Sequence, residues 1–376
     1  MTTKLIGSMV MALTATAVDA KLPLETLTLP QGYSISIYAQ GVTNARQMAL
    51  GDDGTVYVGS RDAGLLHAVQ DKDGDGQAES VTVIAKGLNM PSGLAYRDGD
   101  LFVAEVSQVL RYKDIAEHLD GAEAEVAISG LPTDKHHGWK YIDFGPDGHL
   151  YVPVGAPCNI CETNGGKEFD NPLYASILRF DLKDPKPEWV ARGVRNSVGF
   201  DWHPETGNLW FSDNGRDWMG DDLPPCEINH VSAPNQHFGY PYFHGGTIAD
   251  PEFGEGKKAE DYVQPAHNLG AHVAPLGIHF YTGSQFPESS GQRLLVAEHG
   301  SWNRSSKVGY RVMMAHIEQG QVTDYTPFVE GWLNSDDTVW GRPVAFLAMP
   351  DGSVLLSDDF ADVIYRISYT KPADNG

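Results

Sequence analysis

Positive charge is scarce in this sequence. Its 376 residues include 27 lysines and arginines but 50 aspartates and glutamates, so the formal net charge is −23. A surface this acidic repels nucleic-acid phosphates and anionic lipid headgroups. We therefore expect neither nucleic acid nor a membrane surface as a partner.

Long hydrophobic runs are missing after residue 20. No later stretch approaches the ~20 apolar residues that cross a bilayer, so we expect no stable membrane insertion. Before that point, Lys4 is followed by an apolar stretch and by the small-residue cleavage pattern Val18-x-Ala20. This arrangement predicts a secretory signal peptide over residues 1–20 and a periplasmic or secreted protein, with residues 21–376 forming a single domain.

Cysteine is rare, with three in the whole chain. Cys158 and Cys161 form a C-x-x-C pair, and Cys226 stands apart. One such pair is a weak zinc signal, and a redox-active dithiol needs a strand-to-helix setting that this loop does not show. For an exported chain we expect a local disulfide between Cys158 and Cys161, with Cys226 free or buried.

Helical periodicity of useful length is absent, and a repeated strand pattern is present instead. An apolar strand, a turn containing Gly or Asp, and a second apolar strand recur six times, at residues 46–60, 92–105, 141–155, 198–213, 276–300 and 344–359. Asp-Gly and Glu-Thr-Gly turns between alternating strands are typical of hairpins. Each copy is followed by a third strand.

A fourth strand usually follows, and the ends of the chain complement each other. Residues 33–42 have the pattern of a fourth strand but precede the first copy, whereas the last copy has no fourth strand. The sequence therefore predicts an all-β fold, a six-bladed β-propeller with four-stranded blades, closed by the N-terminal strand. A β-sandwich is the alternative, but it does not explain six similar units.

The loops that enter the inner strands carry most of the candidate functional residues. In a propeller these loops cross one face near the axis, so their side chains should converge. They contain arginines, histidines and amides at Arg46, Asn89, His136, His137, Arg195, Asn196, His272 and Arg342, and the ends of the second strands add Asp213, Asn214, Glu298, His299 and, just beyond, Arg304.

A cationic pocket in an acidic protein is the resulting prediction. Several arginines at equivalent positions indicate an anionic ligand with several carboxylates or phosphates, and a histidine beside them offers a base near neutral pH. The alternative for each arginine is an ion pair with a nearby loop carboxylate.

These loops resemble those of a known family, the soluble quinoprotein glucose/sorbosone dehydrogenases, and most closely its sorbosone-dehydrogenase-like branch. The similar segments are residues 136–155, 156–162, 195–215, 220–246, 298–305 and 341–359. Members are six-bladed propellers that use pyrroloquinoline quinone (PQQ) and calcium. The resemblance implies oxidation of an aldose or sorbosone-like sugar, with hydride transfer to the quinone and a separate electron acceptor, a cytochrome or a quinone.

The resemblance also implies roles for individual residues. His137, eight residues before Gly145, would be the general base, and Arg195 would stabilise negative charge on the quinone. We prefer His137 to the adjacent His136, since neighbours in an extended segment point to opposite sides. The implied cofactor-binding residues are Asn196, Arg342, Arg304, His299, Arg46 and Asn214, with Trp139, Trp302 and Trp340 as apolar walls. The main-chain carbonyls of Gly215 and Arg216 would hold calcium.

The chain departs from the glucose-oxidising members at three places. Val198 replaces a glutamine, His299 or Arg304 must substitute for a lysine, and Arg342 stands where those members carry a pair of arginines. The cofactor class is therefore better supported than the identity of the sugar.

A second calcium signal lies in the segment Asp71–Gly76. Asp71, Asp73 and Asp75 match the first ligand positions of an EF-hand loop, but Thr82 stands at position twelve, where that loop carries a glutamate. A structural calcium ion and an ion-free turn at the rim are both compatible with this pattern.

Two other functions are possible for such a propeller. A calcium-dependent lactonase or esterase would need axial carboxylates and amides, for which Glu105, Asn196, Asp213 and Asp358 are available, but it leaves the arginines unexplained. A non-catalytic binding module would not require His137 and Arg195 to face one cavity.

Overall fold

Each of the six predicted repeats forms one antiparallel sheet in a computed structural model, which describes residues 22–163, 169–287 and 292–372. The six sheets are the blades of a β-propeller, so the predicted fold class is confirmed. Residues 1–20 lie outside the described residues, and the signal peptide stays a prediction.

The strands of the first three blades run outward from the axis in chain order. Blade 1 consists of Ala45–Leu50, Val56–Ser60, Leu65–Gln70 and Ser80–Lys86, and blade 2 of Gly93–Arg97, Asp100–Ala104, Val109–Tyr112 and Ala124–Ile128. Blade 3 consists of Asp143–Phe144, Leu150–Val154, Ser176–Phe180 and Glu188–Arg192, with Gln236–His237 added in parallel at its edge.

The other three blades follow the same order, apart from the outer strand of the last. Blade 4 consists of Phe200–Trp202, Leu209–Asp213, Pro225–His230 and His267–Ala271, and blade 5 of Pro275–Phe280, Gln292–Glu298, Arg311–Glu318 and Gln321–Val329. Blade 6 consists of Pro343–Ala348, Val354–Asp358, Val363–Tyr369 and Tyr33–Gln40. A small hairpin, Phe243–His244 with Ile248–Ala249, and the 3-10 turns Leu24–Thr26, Ile115–Glu117 and Ala259–Asp261 complete the elements.

The N-terminal strand closes the ring as predicted. Tyr33–Gln40 pairs with Val363–Tyr369 in antiparallel register, from Tyr33 opposite Tyr369 to Gln40 opposite Val363. Its exposure largely alternates, because an outermost strand has a neighbouring blade on one face and solvent on the other.

The outer strand of blade 4 was not predicted. His267–Ala271 is separated from Pro225–His230 by more than thirty residues that include the small hairpin. Its sequence, HNLGA, has neither β-branched nor aromatic residues, so local strand propensity is weak and pairing with blade 4 determines the structure.

Contacts between inner strands fix the positions of the axial loops. A β-carbon on Gly199 would lie 2.1 Å from the carbonyl oxygen of Leu276, and one on Gly277 would lie 2.7 Å from that of Val344. Glycine therefore permits the close approach of neighbouring blades. Ser212 Oγ donates to Leu276 O at 2.7 Å and Ser357 Oγ to Arg46 O at 2.7 Å, which ties adjacent blades together beside the site.

The second strands lie in the core between neighbouring blades. Val56–Ser60, Leu150–Val154 and Val354–Asp358 are buried along their whole length. Residues at the ends of such strands are therefore held by packing on both faces.

In the described ranges, no helix is long and apolar enough to cross a membrane.

Candidate functional site

The loops that enter the inner strands meet around one cavity of about 390 Å³. Its lining includes eight of the residues predicted to act in catalysis or to bind cofactor or calcium, namely Arg46, His137, Arg195, Asn196, Asn214, Gly215, His299 and Arg342. His136, Trp139, His272 and Trp302 also line it. The blades therefore bring together residues that are far apart in the chain.

His137 is held as a neutral base. It is buried, and its Nδ1 lies 2.8 Å from the carbonyl oxygen of Ala156, which can only accept, so Nδ1 carries the ring proton. Burial, with help from the Arg195 and His136 charges, lowers the pKa of His137 well below its usual range. Nε2 is therefore the unprotonated nitrogen at neutral pH.

His136 also lines the cavity, so the expectation that only one of the two histidines faces the axis is wrong. The segment is a turn and not an extended strand, and His137 adopts a φ of +51°. The two rings lie 4.0 Å apart, centroid to centroid. His136 is the more exposed of the two, which leaves His137 as the better-oriented base.

Arg195 and Asn196 are fixed through their main chain by Asp213. The two Asp213 oxygens accept from the backbone N–H groups of Arg195 at 2.9 Å and Asn196 at 2.7 Å. Asn196 Oδ1 is buried and has no hydrogen-bond partner in the described part of the chain. A buried carbonyl oxygen without a donor, in the wall of a cavity, is suited to a ligand that brings a donor or a cation.

Arg46 and His299 share one carboxylate. Asp359 accepts from Arg46 Nη1 at 2.9 Å and from His299 Nε2 at 2.7 Å. Burial lowers the pKa of His299 to about 4, so at neutral pH the ring is neutral and Arg46 supplies the positive charge. The predicted alternative, an arginine paired with a loop carboxylate, thus applies to Arg46.

Arg342 has no side-chain carboxylate partner in the described ranges. Its Nε and Nη2 donate to the carbonyl oxygens of His299 and Gly300 at 3.0 and 2.8 Å, and the guanidinium lies 5.3 Å from the Tyr310 ring centroid. Carbonyl oxygens orient the side chain without neutralising it. Arg342 is therefore a cation available to an anionic ligand.

Arg304 and Arg216, which were assigned to the cofactor and to calcium, lie outside the cavity lining. Arg304 donates to the main-chain carbonyl oxygen of Asp221 and pairs with the carboxylate of Asp222 at 3.1 Å, so a loop of blade 4 holds it. The Arg216 side chain is buried in an ion pair with Asp250, with Glu252 at 3.4 Å. Of the segment assigned to calcium, only Gly215 borders the cavity.

The apolar walls differ from the prediction in one residue. Trp139 and Trp302 line the cavity, whereas Trp340 packs on Trp332 and donates to the carbonyl oxygen of Gly331 at 2.8 Å. Trp218 stands edge-to-face against the exposed Trp302 at 5.5 Å, which adds an aromatic residue at the rim.

Sequence reasoning missed Arg61 and Asp217, which also line the cavity. Arg61 lies 5.2 Å from the Trp139 ring centroid and pairs with Asp62. It directly follows the second strand of blade 1, as Asn214 follows that of blade 4. An alignment of the six repeats at the residue after the second strand would have identified Arg61 as a candidate.

The carboxylates required for an axial hydrolase site have other partners. Asp213 binds backbone N–H groups, and Asp358 accepts from the backbone N–H groups of Arg342, Phe360 and Ala361. Burial raises the pKa of Asp213 and of Asp358 to about 6. These residues brace the axial loops, which argues against the lactonase or esterase alternative.

The acidic loop of blade 1 brings its three aspartates together. Carboxylate oxygens of Asp71, Asp73, Asp75 and also Glu79 lie within 4.8 Å of one another, and these are the sole such group of three or more metal-ligating side chains in the described residues. Glu79, at position nine of the loop, was not predicted. Asp71 also accepts from the backbone N–H groups of Gly74 and Gly76 at 2.8 and 2.9 Å.

Calcium binding at this loop stays a prediction, and it has a direct test. Because clustered carboxylates repel one another, we expect 10 mM Ca²⁺ to stabilise the PQQ-free protein by ~1.4–2.7 kcal/mol if Kd is ~10⁻⁴–10⁻³ M. Calorimetry with EDTA or Ca²⁺ measures this as a rise in Tm of several degrees. Asp73→Asn with Glu79→Gln should abolish most of the rise, whereas Asp181→Asn, in a turn of blade 3, should retain it. An equal rise in both variants contradicts the prediction.

Comparison with solved structures defines the class of fold. The chain matches the calcium structure of a Trichoderma reesei carbohydrate-active enzyme of family AA12 with a TM-score of 0.77, at 19% identity over 92% of this chain and 97% of that chain. It matches the holo form of the pyranose dehydrogenase PQQ domain from Coprinopsis cinerea at 0.73, with 18% identity over 91% and 97%. For the PQQ-bound aldose sugar dehydrogenase of Streptomyces coelicolor the TM-score is 0.65, with 18% identity over 91% and 100%. The resemblance stated from the sequence is therefore confirmed for the fold.

Sequence comparison gives the family. The family described as "Domain of unknown function (DUF7133)" matches residues 20–373, and the chain belongs to it. An uncharacterized protein of Borreliella burgdorferi is 34% identical in an alignment of 362 residues, and the match covers 92% of this chain and 92% of that protein.

Proposed function

We propose that this protein is a PQQ-dependent oxidoreductase that oxidises an aldose or sorbosone-like sugar. The observation that carries the proposal is the convergence of a neutral buried histidine, His137, with four arginines around one cavity. The PQQ-containing solved structures share the fold with this chain, and the residues around the cavity supply the chemical argument.

The described residues fit PQQ, a flat tricarboxylate. The cavity volume lies within the ~300–1,000 Å³ typical of small-molecule sites. Arg342 offers an uncompensated guanidinium, Arg46 and Arg61 add guanidinium groups that are paired with Asp359 and Asp62, and Trp139 and Trp302 supply flat apolar surface. Asn196 Oδ1 is a buried acceptor in the same wall.

PQQ, when bound, supplies a carbonyl group that accepts a hydride. His137 Nε2 takes the proton from the reacting sugar hydroxyl, because Nδ1 is already committed to Ala156. Arg195 lines the same cavity as His137, where its positive charge would stabilise negative charge that develops on the quinone. Calcium, a hard cation, prefers oxygen ligands, and of the two residues whose main-chain carbonyls were assigned to it, Gly215 lines the cavity.

Export of the protein is part of this proposal, with cleavage of residues 1–20 and one propeller domain in residues 21–376. Cys158 and Cys161 form a disulfide, as expected, and Cys226 is free and buried. Disulfides persist in oxidising compartments, which supports a periplasmic or secreted location. The sequence has no C-x-x-C-H haem-attachment motif, so electrons pass to a separate acceptor, a cytochrome or a quinone.

Reconstitution tests the proposed function. We expect the metal-free protein to gain dye-reducing activity only when both PQQ and Ca²⁺ are added, with aldoses and sorbosone as the substrate panel. Omission of either component, and addition of Mg²⁺ in place of Ca²⁺, are the controls. Failure of PQQ to bind, measured by quenching of tryptophan fluorescence, would overturn the proposal and favour the binding-module alternative.

A further inference from the structure

The guanidinium of Arg195 is held mainly by carbonyl oxygens. Nε donates to the Asn159 main-chain oxygen at 2.9 Å, Nη2 to Asn159 Oδ1 at 2.9 Å, and Nη1 to the Asn214 main-chain oxygen at 3.1 Å. The nearest carboxylate, Asp217, is 3.4 Å from Nη2, and Asp213 uses both of its oxygens on backbone N–H groups. Carbonyl groups thus orient Arg195 while leaving most of its charge uncompensated.

Asn159 contributes two of these three carbonyl oxygens, and its side chain is itself fixed. Oδ1 also accepts from the backbone N–H of Asp217 at 2.8 Å, and Nδ2 donates to the Asp217 carbonyl at 3.1 Å. The side-chain amide therefore makes two hydrogen bonds to the main-chain N–H and C=O of one residue, Asp217. One lone pair of Oδ1 accepts from the Asp217 N–H, and the other accepts from Arg195 Nη2.

The disulfide constrains the backbone that presents Asn159. Asn159 and Ile160 are the two residues between Cys158 and Cys161. The loop is anchored on the buried Tyr240, whose hydroxyl accepts from the Cys161 N–H at 3.1 Å and lies 3.4 Å from Cys158 Sγ. A short covalent ring removes conformations in which the Asn159 carbonyl groups turn away from Arg195.

We propose that Asn159, framed by the Cys158–Cys161 disulfide, is a positioning residue for Arg195, and that reduction of the disulfide releases this guanidinium from its catalytic orientation. The inference rests on the proposed function for its kinetic consequence. Its structural consequence is measurable in the cofactor-free protein.

The first measurement follows the Arg195 Nε–H group directly. In apo protein labelled with ¹⁵N-arginine, the proton of this group should exchange slowly with solvent. The Arg195 resonance is assigned as the one that disappears from the spectrum of Arg195→Lys. Asn159→Ala, the double variant Cys158→Ser with Cys161→Ser, and reduced wild-type protein should each show faster exchange. A reductant acts on this disulfide alone, because the third of the three cysteines is free.

The second measurement separates positioning from binding. A displaced catalytic group costs ~10²-fold in rate, so we expect kcat to fall by about that factor in Asn159→Ala, with KM and PQQ affinity unchanged within about twofold. Asn235→Gly is the matched control, since Asn235 Oδ1 accepts from Arg192 Nε at 2.6 Å on the outer strand of blade 3 and has a φ of +61° that glycine tolerates. This control should retain full kcat.

The outcomes distinguish the two proposals. Unchanged Nε–H exchange in Asn159→Ala overturns the positioning role, whatever the activity. Faster exchange in a protein that PQQ and Ca²⁺ fail to activate supports the positioning role and counts against the proposed function. Full kcat in the disulfide variant and in the reduced protein overturns the role of the disulfide.

Discussion

Replacing His137 with alanine should lower kcat of the PQQ- and Ca²⁺-loaded protein by ~10²–10⁴-fold, the range lost when a general base is removed. Ala156 holds Nδ1, so Nε2 is the nitrogen that takes the proton, and burial keeps it unprotonated at neutral pH. Single-turnover reduction of the cofactor by the sugar measures this step without interference from the electron acceptor.

His136→Ala provides the comparison for this variant. The His136 side chain is more exposed and lies 4.0 Å from the His137 ring, so its removal should change the rate far less. In the wild-type protein, activity should fall as the pH drops through the lowered pKa of His137, because the protonated ring cannot accept a proton. A larger loss in His136→Ala than in His137→Ala would reverse the assignment of the base.

Replacing Arg342 with glutamine should weaken PQQ binding by roughly 10–100-fold. Its guanidinium is the cavity cation without a carboxylate partner in the described part of the chain, and a hydrogen bond to a charged group contributes ~1.5–3 kcal/mol. Fluorescence titration of the apo protein with PQQ measures Kd. The difference in Kd between Arg342→Gln and the wild-type protein should shrink as salt is added, since part of the attraction between Arg342 and PQQ is electrostatic.

Arg304→Gln is the matched control for Arg342→Gln. The sequence made both arginines candidates for the cofactor carboxylates, but Arg304 is held by Asp221 and Asp222 outside the cavity lining. Its substitution should leave Kd unchanged. If Arg304→Gln weakens binding as strongly as Arg342→Gln does, the placement of the cofactor in this cavity is wrong.

The ring and the meeting of its axial loops were predictable because they follow from repetition. Six strand–turn–strand copies, an extra strand before the first copy and a missing fourth strand in the last copy define the closure between Tyr33–Gln40 and Val363–Tyr369. Once the number of blades is known, every loop at the same repeat position lies at the same face. That is why residues as distant as Arg46 and Arg342 could be assigned to one cavity.

Partners set by tertiary contacts were not predictable from the same pattern. Arg304 pairs with a carboxylate of a neighbouring loop, whereas Arg342 donates to main-chain carbonyl groups. The residues next to each arginine in the sequence do not indicate this difference. The positive φ of His137 brings both histidines to the cavity, although an extended backbone was expected. Asn159 was part of a recognised cysteine motif, but its contact with Arg195 depends on how blades 3 and 4 meet.

Closure by the N-terminal strand also imposes an order on folding. Tyr33 is synthesised hundreds of residues before Tyr369, its partner in the sheet. Contacts of such high sequence separation are slow to form, because a long loop must be closed before pairing compensates the lost entropy. Until then the unpaired edges of Tyr33–Gln40 and Val363–Tyr369 are open to pairing with other chains. The propeller cannot close until Val363–Tyr369 has been synthesised. For the proposed export of the protein, this delay favours transport of the unfolded chain over transport of the folded protein.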